Sequence, residues 1–173
     1  MKKGLALALT VLVVLTGCGK SLQNDVVGKW SYEVSLPMDD KDFTGQMTAK
    51  CVSEFFGNKS LNHDCDLKMA MDSKTEKLKI EAQGKIKASG EWTVTDQTLY
   101  DKTVDAKAEM SELKVNGELV ADQAAMQEMK KAFDDVFLKG ETTSYVTRSF
   151  DGKTWVFEQE VDKKKVTITA NRQ

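Results

Sequence analysis

The chain has 173 residues, with 25 Lys+Arg against 27 Asp+Glu, one histidine and one proline. At 40% hydrophobic and 30% charged it has the composition of a single globular domain, which sets aside disordered and fibrous structure. A net charge of −2 offers no basic face for nucleic acid, and a single histidine leaves no multi-histidine metal site and makes any triad depend on His63.

Met1-Lys2-Lys3 is a short basic segment, and residues 4–15 are apolar apart from Thr10. That stretch is too short to cross a bilayer core, which takes about 20 residues. It ends in Leu15-Thr16-Gly17-Cys18, small or neutral residues just before a cysteine. The arrangement resembles a bacterial lipoprotein signal with its lipobox. The resemblance implies a diacylglyceryl group on the Cys18 thiol, cleavage before Cys18, and an acyl chain such as palmitate on the new amino terminus. Gly19, in place of Asp, implies sorting to the outer membrane of a bacterial envelope. The chain then divides into a signal peptide (1–17), a lipidated cysteine with a short polar tether (18–25), and a domain (26–173). Cleavage removes two lysines and leaves 156 residues with a net charge of −4. Two thiols remain, Cys51 and Cys65. In an oxidising envelope an even pair without C-x-x-C spacing reads as a disulfide before a metal or redox pair.

Period-2 alternation dominates the rest. Trp30, Tyr32, Val34 and Leu36 share one face of a first strand, which Pro37 is expected to end. Met47, Ala49 and Cys51 alternate on a second strand; Cys65, Leu67, Met69 and Met71 alternate on a third. A hairpin around Gly57-Asn58-Lys59 sets Cys51 opposite Cys65, Ala49 opposite Leu67 and Met47 opposite Met69. Each inward residue then meets an inward partner, and a one-residue slip would put one cysteine outside. A fourth strand alternates from Leu78 to Val94, with interior glycines that suggest bends or a bulge. Its opposite face carries Lys79, Lys85 and Lys87 among glutamates and reads as solvated. A turn at Asp96-Gln97 leads into a weaker strand through Val104.

Over 122–138 the period changes. Ala125, Met126, Met129, Ala132, Phe133, Val136 and Phe137 recur at helical spacing, with Asp122 as N-cap and Gly140 as the C′ residue. The mixed charge of the polar face favours packing on the barrel wall or over one end instead of on a membrane surface. Asp151-Gly152 marks a hairpin between strands at 145–150 and 154–161. A turn at Asp162-Lys163-Lys164 leads into Val166, Ile168, Ala170 and Arg172. The fold class is mainly β: an antiparallel up-and-down barrel of about eight strands with one amphipathic helix.

Gly28-Lys29-Trp30 opens the first strand and Arg172 lies near the end of the last. This pair resembles the G-x-W and terminal Arg of lipocalin-like (calycin) barrels, and more closely the plan of small lipocalin-like bacterial lipoproteins. The resemblance implies that Arg172 stacks over Trp30 and closes one barrel end. The chain departs from the family in placing its helix between strands, and no ligand residue carries over.

The chemistry the residues can hold is sparse. His63, in Asn62-His63-Asp64, is read as an outward, solvent-exposed side chain, and no G-x-S-x-G elbow surrounds a serine. The acidic groups at 39–42 and 63–66 match no zinc or EF-hand spacing and read as turns, so no metal, cofactor or enzyme is expected. Met47, Met69 and Met71 converge inward; soft Cu(I) ligation is one reading, and gap-filling interior residues are the commoner one. Tyr32, Met47, Met69, Met71 and Trp92 are the ligand-binding candidates, since a barrel of this size is either filled or holds one small ligand. Two functions are expected from this. One is a membrane-anchored envelope protein that binds a small apolar or amphipathic ligand in its barrel. The other is a solid barrel whose loops or helix dock an envelope protein partner.

Overall fold

Strand follows strand with one excursion. The computed structural model describes residues 22–39, 41–134, 140–161 and 164–173, with the side chains of residues 132 and 133 also left aside. The elements are α1 (Leu22–Asp25), β1 (Gly28–Asp39), β2 (Phe43–Phe55), β3 (Ser60–Ser73), β4 (Lys79–Thr95), β5 (Thr98–Val115), β6 (Glu118–Leu119), α2 (Gln123–Asp134), β7 (Thr142–Phe150), β8 (Thr154–Val161) and β9 (Lys164–Arg172). The strands pair antiparallel in the order β4-β3-β2-β1-β9-β8-β7-β5, and β4 pairs β5 again. Eight strands therefore close into a barrel, as the periodicity predicts, with β6 a short addition on β5.

The β2–β3 hairpin has the expected register: Cys51 faces Cys65, Ala49 faces Leu67 and Met47 faces Met69. The two cysteines form a disulfide with Cα atoms 4.1 Å apart. The Asp151-Gly152 turn also forms. Asp151 Oδ1 accepts the Lys153 and Thr154 amides at 2.8 and 2.6 Å, and Gly152 takes the positive φ of 88° that glycine tolerates.

Three expectations change. Pro37 does not end β1, which pairs β2 as far as Asp39. The β1–β9 ladder holds only Trp30 with Arg172 and Ser31 with Asn171, so Pro37 lies beyond it on an edge where its missing N–H costs no ladder bond. The weak strand after Asp96-Gln97 does not stop at Val104 but runs to Val115. Two register shifts against β4, beside Gly84 and Gly90, leave Ser111 and Val104 as extra residues in β5. Each shift inverts the alternation, so the inward set passes from Leu99, Asp101 and Thr103 to Ala106, Ala108 and Met110, and then to Leu113 and Val115. Val104 stands out at 56% exposure. A side chain at Gly90 would put its Cβ 2.2 Å from the Lys102 carbonyl, so this close crossing requires glycine. Residues 22–25, read as part of a tether, form one helical turn closed by Val26 N–H donating to Leu22 O.

The helix forms where the periodicity places it. Its N-cap is as expected, with Asp122 Oδ1 accepting the Ala124 and Ala125 amides at 2.8 and 2.9 Å. The described helix ends at Asp134; residues 135–139, with the rest of the expected apolar stripe, lie outside the described residues, as do Asp162, Lys163 and residues 1–21. Ala125, Met126 and Met129 pack on the barrel's apolar interior, which places the helix against β5 and β4. The reason lies in β5. It pairs β7 only from Thr98 to Lys102, and among the described residues its remaining stretch has no strand on that side apart from β6. Asp134 Oδ1 accepts the Ala108 amide at 3.2 Å and so satisfies part of this free edge.

Inward residues fall into two clusters. All eight barrel strands contribute to the first, which contains Trp30, Phe55, Leu61, Trp92, Leu99, Tyr145, Trp155, Phe157 and Ile168. Among the described residues only β1–β5, Val120 and α2 contribute to the second, built on Ala49, the disulfide, Leu67, Met69, Met71, Ile86 and Leu113. The ladder closes around the aromatic half and is thinly paired along β1 and β5 in the methionine half.

Candidate functional site

The aromatic end is sealed. Gly28 has φ 130°, and a Cβ there would sit 3.1 Å from Arg172 Nη1, so the glycine of Gly28-Lys29-Trp30 makes room for the guanidinium. Arg172 Cζ lies 4.7 Å from the Trp30 ring centroid, and the guanidinium donates to the Val27 and Asp25 carbonyls. Trp30 Nε1–H donates to Val26 O at 2.7 Å. Trp30 is 0% exposed and touches Phe150 and Trp155 edge-on or tilted. Arg172 thus stacks over Trp30 at this end. Trp92 belongs to the same half. Its Nε1–H is shared by the Phe56 and Ser60 carbonyls, and Lys59 covers its ring. Of the five ligand candidates, Trp92 is the one set among these filled positions, away from the methionines.

Across the middle runs a buried polar layer that the sequence reading missed. His63 is not outward: it shares the parity of Cys65 and Leu67, points into the barrel and is 3% exposed. Its Nε2–H donates to Asp101 Oδ2 at 2.7 Å, and Nδ1 shares a 2.6 Å hydrogen bond with Ser53 Oγ. Tyr145 O–H donates to the same Asp101 oxygen at 3.2 Å, and the Tyr32 hydroxyl meets Ser53 Oγ at 3.2 Å. On β2, Ser53 lies between Cys51 and Phe55. On β3, His63 lies between Cys65 and Leu61. The layer therefore separates the two apolar clusters and uses polar groups drawn from β1, β2, β3, β5 and β7. The signal available in the sequence was parity: Ser53, His63 and Asp101 each continue an inward series.

Ser53, His63 and Asp101 have the residue types of a nucleophilic triad, but Ser53 is 1% exposed and Asp101 2%. No solute carbonyl reaches the hydroxyl in this conformation, and the hydrogen bonds act between strands. Asp101 Oδ1 has no hydrogen-bond partner among the described residues. Burial, reinforced by the Asp101 charge, raises the Tyr145 hydroxyl well above its ordinary range, and burial pushes Tyr32 up to about 12. Phenols ionise near 10 in an unfolded chain. The proton is thus held more tightly in the folded state, so this contribution to stability is intact below pH 10 and is lost as pH rises from there. Thermal melts between pH 8 and 12 should show the transition falling above pH 10, and less steeply in Tyr145→Phe.

The methionine end gathers Met47, Met69 and Met71 as expected, and adds four more. Met38, Met110, Met126 and Met129 pack against the same cluster, so every methionine except Met1 is here, and every tryptophan is in the other half. Met69 is 4% exposed and Met71 9%, whereas Met38, Met47, Met110, Met126 and Met129 are half-buried. Tyr32 touches both clusters and the polar layer.

Outside the barrel, a depression of about 720 Å³ is lined by Lys50, Glu54, Asp64, Asp66, Lys85, Lys87 and Lys107 among others. Lys85 pairs with Asp66 at 2.9 Å and Lys107 with Glu109 at 2.6 Å, so the outer lysine stripe is charge-balanced. Among the described residues no group of His, Cys, Asp and Glu is placed to hold a metal, and no helix is long and apolar enough to cross a membrane. In comparison with known proteins, no family model matches the chain and no curated protein matches it in sequence.

Proposed function

We propose that this chain is a lipid-anchored, non-enzymatic envelope protein of lipocalin-like plan that binds a small apolar or amphipathic molecule at the methionine end. The observation that carries the reading is the gathering of seven methionines, five of them half-buried, where the ladder is thinly paired and α2 stands in for a strand. Methionine is unbranched and polarisable, and re-packs around varied apolar shapes. A filled aromatic half provides the rigid base and leaves one end to adapt. Anchoring at Cys18 fits this polarity. Residues 22–26 pack at the sealed end, and Cys18 is four residues earlier, a contour of at most about 14 Å. The sealed end then faces the membrane and the methionine end faces away from it.

The second reading, a solid barrel that docks an envelope protein, draws support from the filled aromatic half alone. The experiment that separates the two uses the mature chain (residues 18–173) with Cys18→Ser, so that no acyl group carries the probe. Titration with N-phenyl-1-naphthylamine should give saturable fluorescence that a long-chain alcohol displaces. A response no greater than that of buffer contradicts the ligand reading.

A further inference from the structure

We propose that Met38, Met47, Met69 and Met71 form a thioether site for a soft monovalent cation, Cu(I) or its analogue Ag(I). The strand registers bring these four together. Met47 on β2 is the direct cross-strand partner of Met69 on β3. On the adjoining rung Met38 on β1 and Met71 on β3 both face Gly45. A Cβ at Gly45 would lie 2.1 Å from the Ala70 carbonyl, so the position stays glycine and no side chain stands between the two methionines. Next to Met69 on β4 is Ala82, which again leaves room.

Directly opposed residues in an antiparallel pair have Cβ atoms about 5 Å apart, and diagonal neighbours about 7–8 Å apart. Met47 is opposite Met69 and diagonal to both Met38 and Met71, while Met38 and Met71 stand about 10 Å apart across β2, so the flexible stems must lean over Gly45 for the sulfurs to converge on one ion. The donor set decides the ion. The two cysteines are bonded to each other and the one histidine is in the polar layer, hydrogen-bonded to Ser53 and Asp101. Neutral thioethers suit a soft ion of low charge; Zn(II), Mg(II) and Ca(II) prefer imidazole, thiolate or oxygen. Gap-filling alone does not account for the distribution, because all seven described methionines fall in one half of the interior and none in the other. Met38 and Met47 remain half-buried, so an ion has a path that needs no unfolding.

The test is Ag(I) titration of the same Cys18→Ser chain, followed by methionine methyl NMR and by competition with a chelator, with Cu(I) kept reduced by ascorbate as a second arm. One equivalent should bind, with Zn(II) not competing. Met47→Leu/Met69→Leu preserves volume and apolarity, and should weaken Ag(I) binding by more than about tenfold while leaving the near-UV circular dichroism of the tryptophan half unchanged. Met38→Leu/Met71→Leu should do the same, so a folding defect in one pair does not remove the test. No uptake by the parent chain, or equal uptake by both leucine pairs, overturns the proposal. Naphthylamine uptake by the parent chain is read separately, so loss of the apolar-ligand reading and loss of the cation site are distinguishable outcomes.

Discussion

His63→Ala should lower unfolding stability by about 3 kcal/mol or more, because removing one partner leaves a buried charged acceptor short of its hydrogen bond. The substitution takes away the Nε2–H that Asp101 accepts at 2.7 Å, and leaves the carboxylate, 2% exposed, with Tyr145 as its one remaining hydrogen-bond donor among the described residues. It also removes the 2.6 Å partner of Ser53 on the other side of the ring and leaves that hydroxyl to Tyr32. Chemical denaturation at pH 7 with an unchanged m-value measures the loss directly. A double-mutant cycle with Asp101→Asn should show strong coupling, because the amide carries no charge to strand. A loss below about 1 kcal/mol would mean that the polar layer is wetter and looser than its geometry implies.

Trp30→Ala should cost a similar amount, about 3–5 kcal/mol, through a different mechanism. The indole is 0% exposed and is held by Phe150, Trp155 and the Val26 carbonyl. Its removal opens a cavity under Arg172 that rigid neighbouring rings cannot collapse into. Arg172→Ala should cost less, about 0.5–2 kcal/mol, since the guanidinium is exposed and contributes a cation–π contact plus two carbonyl hydrogen bonds. Against a total stability on the order of 5–15 kcal/mol, the Trp30 variant should show a clearly lower melting temperature and the Arg172 variant a modest shift. The ordering matters more than the values. If Arg172→Ala were the more damaging, closure of this end would rest on the ion instead of on the packed ring.

Where alternation was unbroken, sequence carried the structure down to the residue. Cys51 and Cys65 could be paired because thirteen residues of β2 and fourteen of β3 keep one phase from end to end. The motif at Gly28 and Trp30, with Arg172, was legible because both ends of the barrel closure occupy inward positions. β5 was not legible past Val104. Two bulges each reverse the inward set, so its alternation cancels when read as one strand. His63 was misplaced because a polar side chain in an apolar series looks like a surface residue until its partners are known. Those partners, Ser53 and Asp101, are 10 and 38 residues away. The separation of tryptophans from methionines had a signal that went unused. In an up-and-down barrel the start of β1, the end of β2 and the end of β4 share one rim, which puts Trp30, Phe55 and Trp92 together and sends Met38, Met47 and Met71 to the other.

That division of the interior is the central claim, and the most direct measurement is methyl NMR of the Cys18→Ser chain labelled on methionine, with and without N-phenyl-1-naphthylamine. The account predicts shifts at Met47, Met69, Met71 and the α2 methionines, with the indole N–H signals of Trp30, Trp92 and Trp155 unmoved. Shifts confined to the indoles, with the methionine methyls unchanged, would contradict it.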